Sequence, residues 1–234
     1  MPTLYFLTLV SICATLTACS SSDQDLFPLQ SGVWRYYETT THILDDIKSQ
    51  RIIAGIAERS NTDNGQIFIL RQAPNKDAYL QVMEDSIYRV ATRDRHLLTE
   101  NWEETPTKIL PRSPQVGEQW TVQSELALIE SRTFARQDKL RNRTIPLALS
   151  VEVISTAESI TVPAGTFENC VLLKSEGVVN VKTDRGNANA DVIVLRQDWY
   201  APGVGLVRSE RQEQSESPFL KPGFYEQVLI AVGN

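Results

Sequence analysis

The sequence predicts an all-β fold: a strongly curved antiparallel sheet or half-open barrel, with few or no helices after the signal peptide. From Gly32 onward, short runs rich in Val, Ile, Tyr and Thr alternate with clusters of Gly, Pro, Asn and Asp, the pattern of strands and turns. Helical periodicity is scarce, so no helical layer is available to cover a flat sheet, and a chain of hairpins must then bury one face by curling. Runs such as 192–195 are apolar throughout, which requires both faces of some strands to be covered. A concave apolar interior is the expected result.

The strands are expected at 33–41, 50–58, 66–72, 79–84, 87–92, 96–103, 119–131, 145–156, 159–162, 166–182, 190–200, 205–212 and 225–232. In the first of them Val33, Arg35 and Tyr37 share one face and Trp34 and Tyr36 the other. Val162-Pro163-Ala164-Gly165-Thr166 reads as a tight hairpin turn, because proline presets the first corner and glycine accepts the positive φ of a bulge. Pro202-Gly203 fits the centre of a type II turn, and the polar tip at 183–189 reads as the end of a long hairpin.

Ahead of the strands, an apolar run over 4–16 leads into Leu16-Thr17-Ala18-Cys19 and then Ser20-Ser21-Ser22-Asp23. A secretory signal needs an apolar segment of about 7–15 residues and small residues at the cleavage point. A bilayer span needs about 20, so 1–18 reads as a removable leader. The tetrapeptide resembles the bacterial lipobox. That resemblance implies recognition of Leu16, Thr17 and Ala18 by the signal peptidase, cleavage before Cys19, a diacylglyceryl group on the Cys19 thiol and an acyl chain on the freed amine. Each buried methylene contributes about 0.8 kcal/mol, so one chain holds marginally and several hold firmly. Ser20 in place of Asp implies, by likeness to enterobacterial lipoproteins, passage to the outer membrane with the protein facing the periplasm. Residues 19–27 are then a lipidated tether and 28–234 a single antiparallel β domain. A faint echo between Pro28…Trp34 and Pro114…Trp120 leaves open a two-half organisation, 28–108 and 109–234.

The chain of 234 residues has a net charge of −6, and no charged residue precedes Asp23, so the acidity belongs to the mature domain. A nucleic-acid partner is not expected, since backbone binding needs a basic surface. One stretch departs from the acidic balance: Arg132, Arg136, Lys139, Arg141 and Arg143 crowd a polar segment. It reads either as a solvated loop or as a contact for anionic headgroups or an acidic partner. Of three cysteines, Cys13 leaves with the leader and Cys19 is lipidated. Cys170, beside Val171-Leu172-Leu173, is then expected to be a buried and unreactive thiol.

No metal site or cofactor is expected. The two histidines, His42 and His96, lack ligand spacing, and no nucleophile elbow, P-loop or dinucleotide fingerprint occurs. Trp34, Trp120 and Trp199 sit in strands, where they either pack a core or line a ligand pocket.

Three segments resemble a known family: Val116-Gly117-Glu118-Gln119-Trp120, the run from Val162-Pro163-Ala164-Gly165-Thr166-Phe167 to Cys170, and Trp199-Tyr200-Ala201-Pro202-Gly203-Val204-Gly205-Leu206-Val207. They are similar to an uncharacterised family of bacterial secreted proteins and lipoproteins. The resemblance covers 110–212 and implies a curved all-β fold like that of periplasmic lipoprotein carriers, without established enzymatic chemistry. The leading expectation is a non-enzymatic outer-membrane lipoprotein that binds an apolar ligand or a protein partner on its curved sheet. An envelope assembly component pairing through a sheet edge is the alternative, and a hydrolase built on unidentified carboxylates comes third.

Overall fold

The computed structural model describes residues 25–43, 46–62, 65–72, 75–97, 99–131, 145–183 and 189–233. Among these residues there is no helix. The strands are β1 (Trp34–Ile43), β2 (Asp46–Thr62), β3 (Gly65–Gln72), β4 (Lys76–Met83), β5 (Ser86–Asp94), β6 (Glu100–Pro111), β7 (Gln119–Glu125), β8 (Glu130–Ser131), β9 (Pro146–Val162), β10 (Gly165–Lys182), β11 (Asn189–Ala201), β12 (Gly205–Gln214), β13 (Leu220–Lys221) and β14 (Gly223–Gly233).

Twelve strands form one antiparallel sheet in the order β6-β5-β4-β3-β2-β1-β14-β12-β11-β10-β9-β7, nearly closed into a barrel; β8 and β13 form a separate two-stranded piece. The all-β, half-open expectation therefore holds. β1 pairs with β14 from Trp34↔Gly233 to Ile43↔Gly223, which joins the two arms of the sheet. β6 and β7 follow one another in the chain, yet they form its opposite edges.

Curvature comes from bulges, which bend a strand and raise its twist. The register shifts at Tyr36/Tyr37, Ile56/Glu58, Tyr79/Leu80, Arg89/Ala91 and Trp199/Tyr200. The hairpins follow the turn chemistry: β9 and β10 meet at Val162↔Gly165, and Gly203 takes φ +73° at the tip between β11 and β12.

Four details differ from the expected elements. The strand expected at 96–103 begins only at Glu100, because Asp94 accepts the His96 amide (2.9 Å) and turns the chain. It then runs past Pro106, which sits where the β5–β6 ladder breaks between Thr107 and Trp102, a position proline tolerates. The segment 119–131 is two strands separated by a crossing at 126–129, whereas 145–156 and 159–162 are one continuous strand. Finally, Leu26 and Phe27 pack into the fold: Leu26 is buried beside Leu110, Val151 and Tyr200.

Those residues plug one end of the barrel. The Gly203 amide donates to the Asp25 carbonyl (3.0 Å), Arg112 pairs with the Asp25 carboxylate (2.8 Å), Arg59 donates to the Leu29 carbonyl (2.7 Å), and Ser31 bridges Ile56. At the opposite end, 126–129 and Leu220 cover a cluster containing Ile129, Leu147, Leu149, Val192 and Val194.

Candidate ligand cavity

Between the two arms lies a cavity of about 750 Å³. Its apolar walls follow from strand alternation: Leu70, Leu80 and Ile87 face it from β3, β4 and β5, and Leu149, Val151 and Leu173 from β9 and β10. Phe27 of the plug contributes to its base. The interior is not apolar throughout, which corrects that part of the sequence reading. Arg35 and Tyr37 of β1, Arg89 of β5, Glu103 of β6, and Arg196, Asp198 and Tyr200 of β11 also line it. On the inward face of strands whose neighbours are Val and Leu, polar side chains at every second position are held by partners.

Arg89 pairs with Glu103, whose other oxygen accepts the Thr107 hydroxyl at 2.6 Å. Arg196 pairs with Asp198 at 2.8 Å, and this carboxylate is the main reason that the Arg196 guanidinium is held more strongly protonated. Burial pushes the Tyr37 and Tyr200 phenols well above their ordinary range. Tyr37 donates to the Leu206 carbonyl at 2.9 Å. Ion pairs in this setting fix geometry at little net gain in stability.

The cavity reaches the seam between β6 and β7, where Thr107 and Ile109 face Val122 to Glu125. No ladder joins these edges among the described residues; a side-chain latch holds them at one end. Lys108 pairs with Glu118 (2.7 Å), Trp120 Nε1 donates to the Lys108 carbonyl (3.1 Å), and the Lys108 ammonium lies 5.1 Å from the Trp120 ring.

The three tryptophans lie elsewhere than on the cavity surface. Trp34 covers Gly55 on the outward face, where a Cβ on that glycine would come within 2.7 Å of the indole. Trp199 also faces outward, with the Arg208 guanidinium 5.6 Å from its ring. Trp120 points inward but forms the latch, so the two tryptophans of the sequence echo occupy different faces. Leu16, Thr17, Ala18 and Cys19 lie outside the described residues, as do Arg132, Arg136, Lys139, Arg141 and Arg143. Cys170 is 0% exposed, and burial pushes its thiol up to about 11. Among the described residues no group of three metal-ligating side chains converges.

A second charged cluster sits on β4 and β5, where Asp77 and Arg93 reach the cavity lining. Asp77, fully buried, faces Arg93 (2.8 Å), Arg71 (3.4 Å) and Arg95 (3.7 Å), while Tyr79 donates to Glu100 (2.7 Å) beside Trp102, which is 57% exposed. The alternation of Arg35-Tyr37 and of Arg196-Asp198-Tyr200 along apolar strands was the available signal for the polar cavity wall. The Asp77 cluster had none, because its partners come from both sides of two turns.

A family model described as DUF3108-like matches residues 129–217, a span that includes the Val162–Cys170 and Trp199–Val207 motifs. No curated protein matches the chain. Two crystal structures are similar over 90% of this chain. One is a candidate lipoprotein from Parabacteroides distasonis ATCC 8503, 18% identical, TM-score 0.43, with 99% of that chain covered. The other is a candidate exported protein with a YmcC-like fold from Bacteroides fragilis NCTC 9343, 16% identical, TM-score 0.45, with 100% of that chain covered.

Proposed function

We propose that this chain is a non-enzymatic envelope lipoprotein, anchored through Cys19 to the outer membrane on its periplasmic face, whose half-open barrel holds a small amphipathic ligand. The observation that carries the reading is the cavity of about 750 Å³, within the roughly 300–1,000 Å³ typical of small-molecule sites, with apolar walls and fixed polar groups. Three of the five carboxylates that line it, Asp77, Glu103 and Asp198, are each tied to an arginine, an arrangement that suits holding a molecule more than transferring its protons.

The lipobox supports the anchor, and the plug supports an orientation. Six residue steps separate Cys19 from Asp25, a reach of about 20 Å when extended, so the plugged end would lie toward the leaflet. Ser131 and Ile145, which flank the basic stretch, lie at the opposite end of the barrel.

Palmitate labelling of cells should mark the wild type and not Cys19→Ser; label retained by the variant would remove the anchor. Native mass spectrometry of the extracted protein should show a bound small molecule, and Ser175→Trp, which fills the cavity, should abolish it. An unoccupied wild type that takes up no amphiphile would end the ligand reading.

One observation favours the assembly alternative. β7 pairs only with β9 among the described residues, and its seven residues contain no proline or lysine to blunt the free edge. A photo-crosslinker at Gln123 that yields a stoichiometric protein adduct in cells would favour that reading.

A further inference from the structure

Four arginines line the cavity, and they are not equivalent. Arg89 faces Glu103, Arg93 faces Asp77 at 2.8 Å, and Arg196 faces Asp198 at 2.8 Å. Arg35 has no carboxylate within 4.0 Å among the described residues, although it is only 5% exposed. Its Nε donates to the Val204 carbonyl, and its guanidinium lies against Gly205, where a Cβ would be 3.3 Å from Nε.

A buried cation without a counter-charge is costly, and burial accordingly lowers the Arg35 pKa, opposed only by the nearby Tyr37. A fold that already pairs its other cavity arginines gains nothing structural from an unpaired one that a neutral donor to Val204 would not supply. The planar guanidinium fork suits a carboxylate or phosphate oxygen pair. Apolar side chains line the same cavity: Leu80, Ile87, Leu149, Val151, Leu173 and Leu206.

We infer that the ligand is a single-chain amphiphile with an anionic head, carboxylate or phosphate, that pairs with Arg35 at the base of the cavity while its apolar body lies along those six side chains. This rests on the cavity reading above and adds the sign and position of the ligand's charge.

The test uses the full-length lipidated protein held in amphipol and four probes: oleate labelled with ¹³C at the carboxyl, 1-oleoyl lysophosphatidate, oleyl alcohol and inorganic phosphate. The wild type should bind at least one of the two anionic amphiphiles about tenfold or more tightly than the alcohol, and should not hold phosphate alone. Whichever anion binds more tightly identifies the head. Arg35→Gln should lose that preference while its affinity for the alcohol stays unchanged, and Arg35→Lys, which keeps the charge, should retain part of it. Bound ¹³C-oleate should stay ionised to lower pH in the wild type than in Arg35→Gln, a shift that a purely structural arginine would not produce. Equal affinity for oleate, lysophosphatidate and the alcohol, or equal losses for all three in Arg35→Gln, would overturn the inference and leave the cavity reading standing. No binding of any amphiphile would overturn both.

Discussion

The two arms of this barrel are built from the same alternation of apolar and polar residues, yet the arm of β9 to β12 is filled at the end away from the plug and the arm of β3 to β5 faces a cavity. The difference does not lie in the strands. In the filled arm a non-strand segment, 126–129, crosses over the sheet and brings Ile129 onto Leu147, Leu149 and Val194. It stays there because Glu213, 0% exposed, accepts the amides of Ala127 (3.0 Å), Leu128 (2.9 Å) and Ile129 (3.0 Å) and pairs with Arg211 (2.7 Å). Arg211 in turn donates to Ser124 and to the Glu125 carbonyl. A single buried carboxylate thus satisfies a loop that would otherwise carry unpaired backbone donors into the core. A curved sheet is filled where a segment is pinned across its interior, as 126–129 is here.

The largest effect should come from removing the pin. Glu213→Ala leaves three amides without their acceptor and Arg211 without its counter-charge, a class of change that costs about 3–5 kcal/mol. Guanidinium denaturation should show that loss, and proteolysis should begin near 126–131. A loss below about 1 kcal/mol would mean that the crossing holds itself and that the contrast between the arms has another cause.

Next in size is a steric test of the same crossing. A Cβ on Gly223 would lie 2.5 Å from Leu128 Cβ and 2.7 Å from the Leu128 carbonyl oxygen, so the crossing depends on the missing side chain. Gly223→Ala should cost about 1–3 kcal/mol by overpacking, while the apolar wall at Leu70, Leu80 and Ile87 keeps its ligand. Loss of ligand together with stability would show that the filled arm supports the hollow one.

A third substitution probes the seam. Trp120→Phe removes the donor to the Lys108 carbonyl and should cost about 1 kcal/mol. Amide exchange should speed up in β7 and remain slow in β9 and β10, whose ladder is independent of the latch. Unchanged exchange in β7 would assign the closure of the seam to other contacts.

The legibility of these features in the sequence follows their range. Hairpins such as Pro163–Gly165 and Pro202–Gly205 are local, and turn chemistry placed them and their flanking strands. The crossing at 126–129 was not legible: it reads as strand continuation, and what bends it is a carboxylate 84 residues away along the chain. The plug failed for a related reason. Leu26 and Phe27 follow a polar run and read as its continuation, whereas the barrel end supplies Leu110 and Val151 as their neighbours. The tryptophans show a different limit. Strand position alone does not say which face is inward, and the outward placement of Trp34 is set by Gly55, its partner across the β1–β2 pair. Arg35 and Tyr37 were placed on one face, but only the closed curve makes that face the inside.

The smallest effect under ordinary conditions concerns Cys170, which sits at a register irregularity of the β9–β10 hairpin. Its thiol is pushed up to about 11, first by burial and then by the charges of Glu168 and Glu158. In the unfolded chain it would release its proton near 9, so between about pH 9 and 11 the folded state holds a proton that the unfolded state has lost. Stability from this group is therefore fully present at neutral pH and falls as pH rises through that window. Tyr37 and Tyr200, also raised by burial, act in the same direction, but they do so equally in the wild type and in Cys170→Ala. Denaturation midpoints of the two proteins should consequently converge or cross from pH 8.5 to 11, with the wild type losing more. Parallel curves would mean that the thiol is hydrated in solution and that the irregular register around Cys170 admits water.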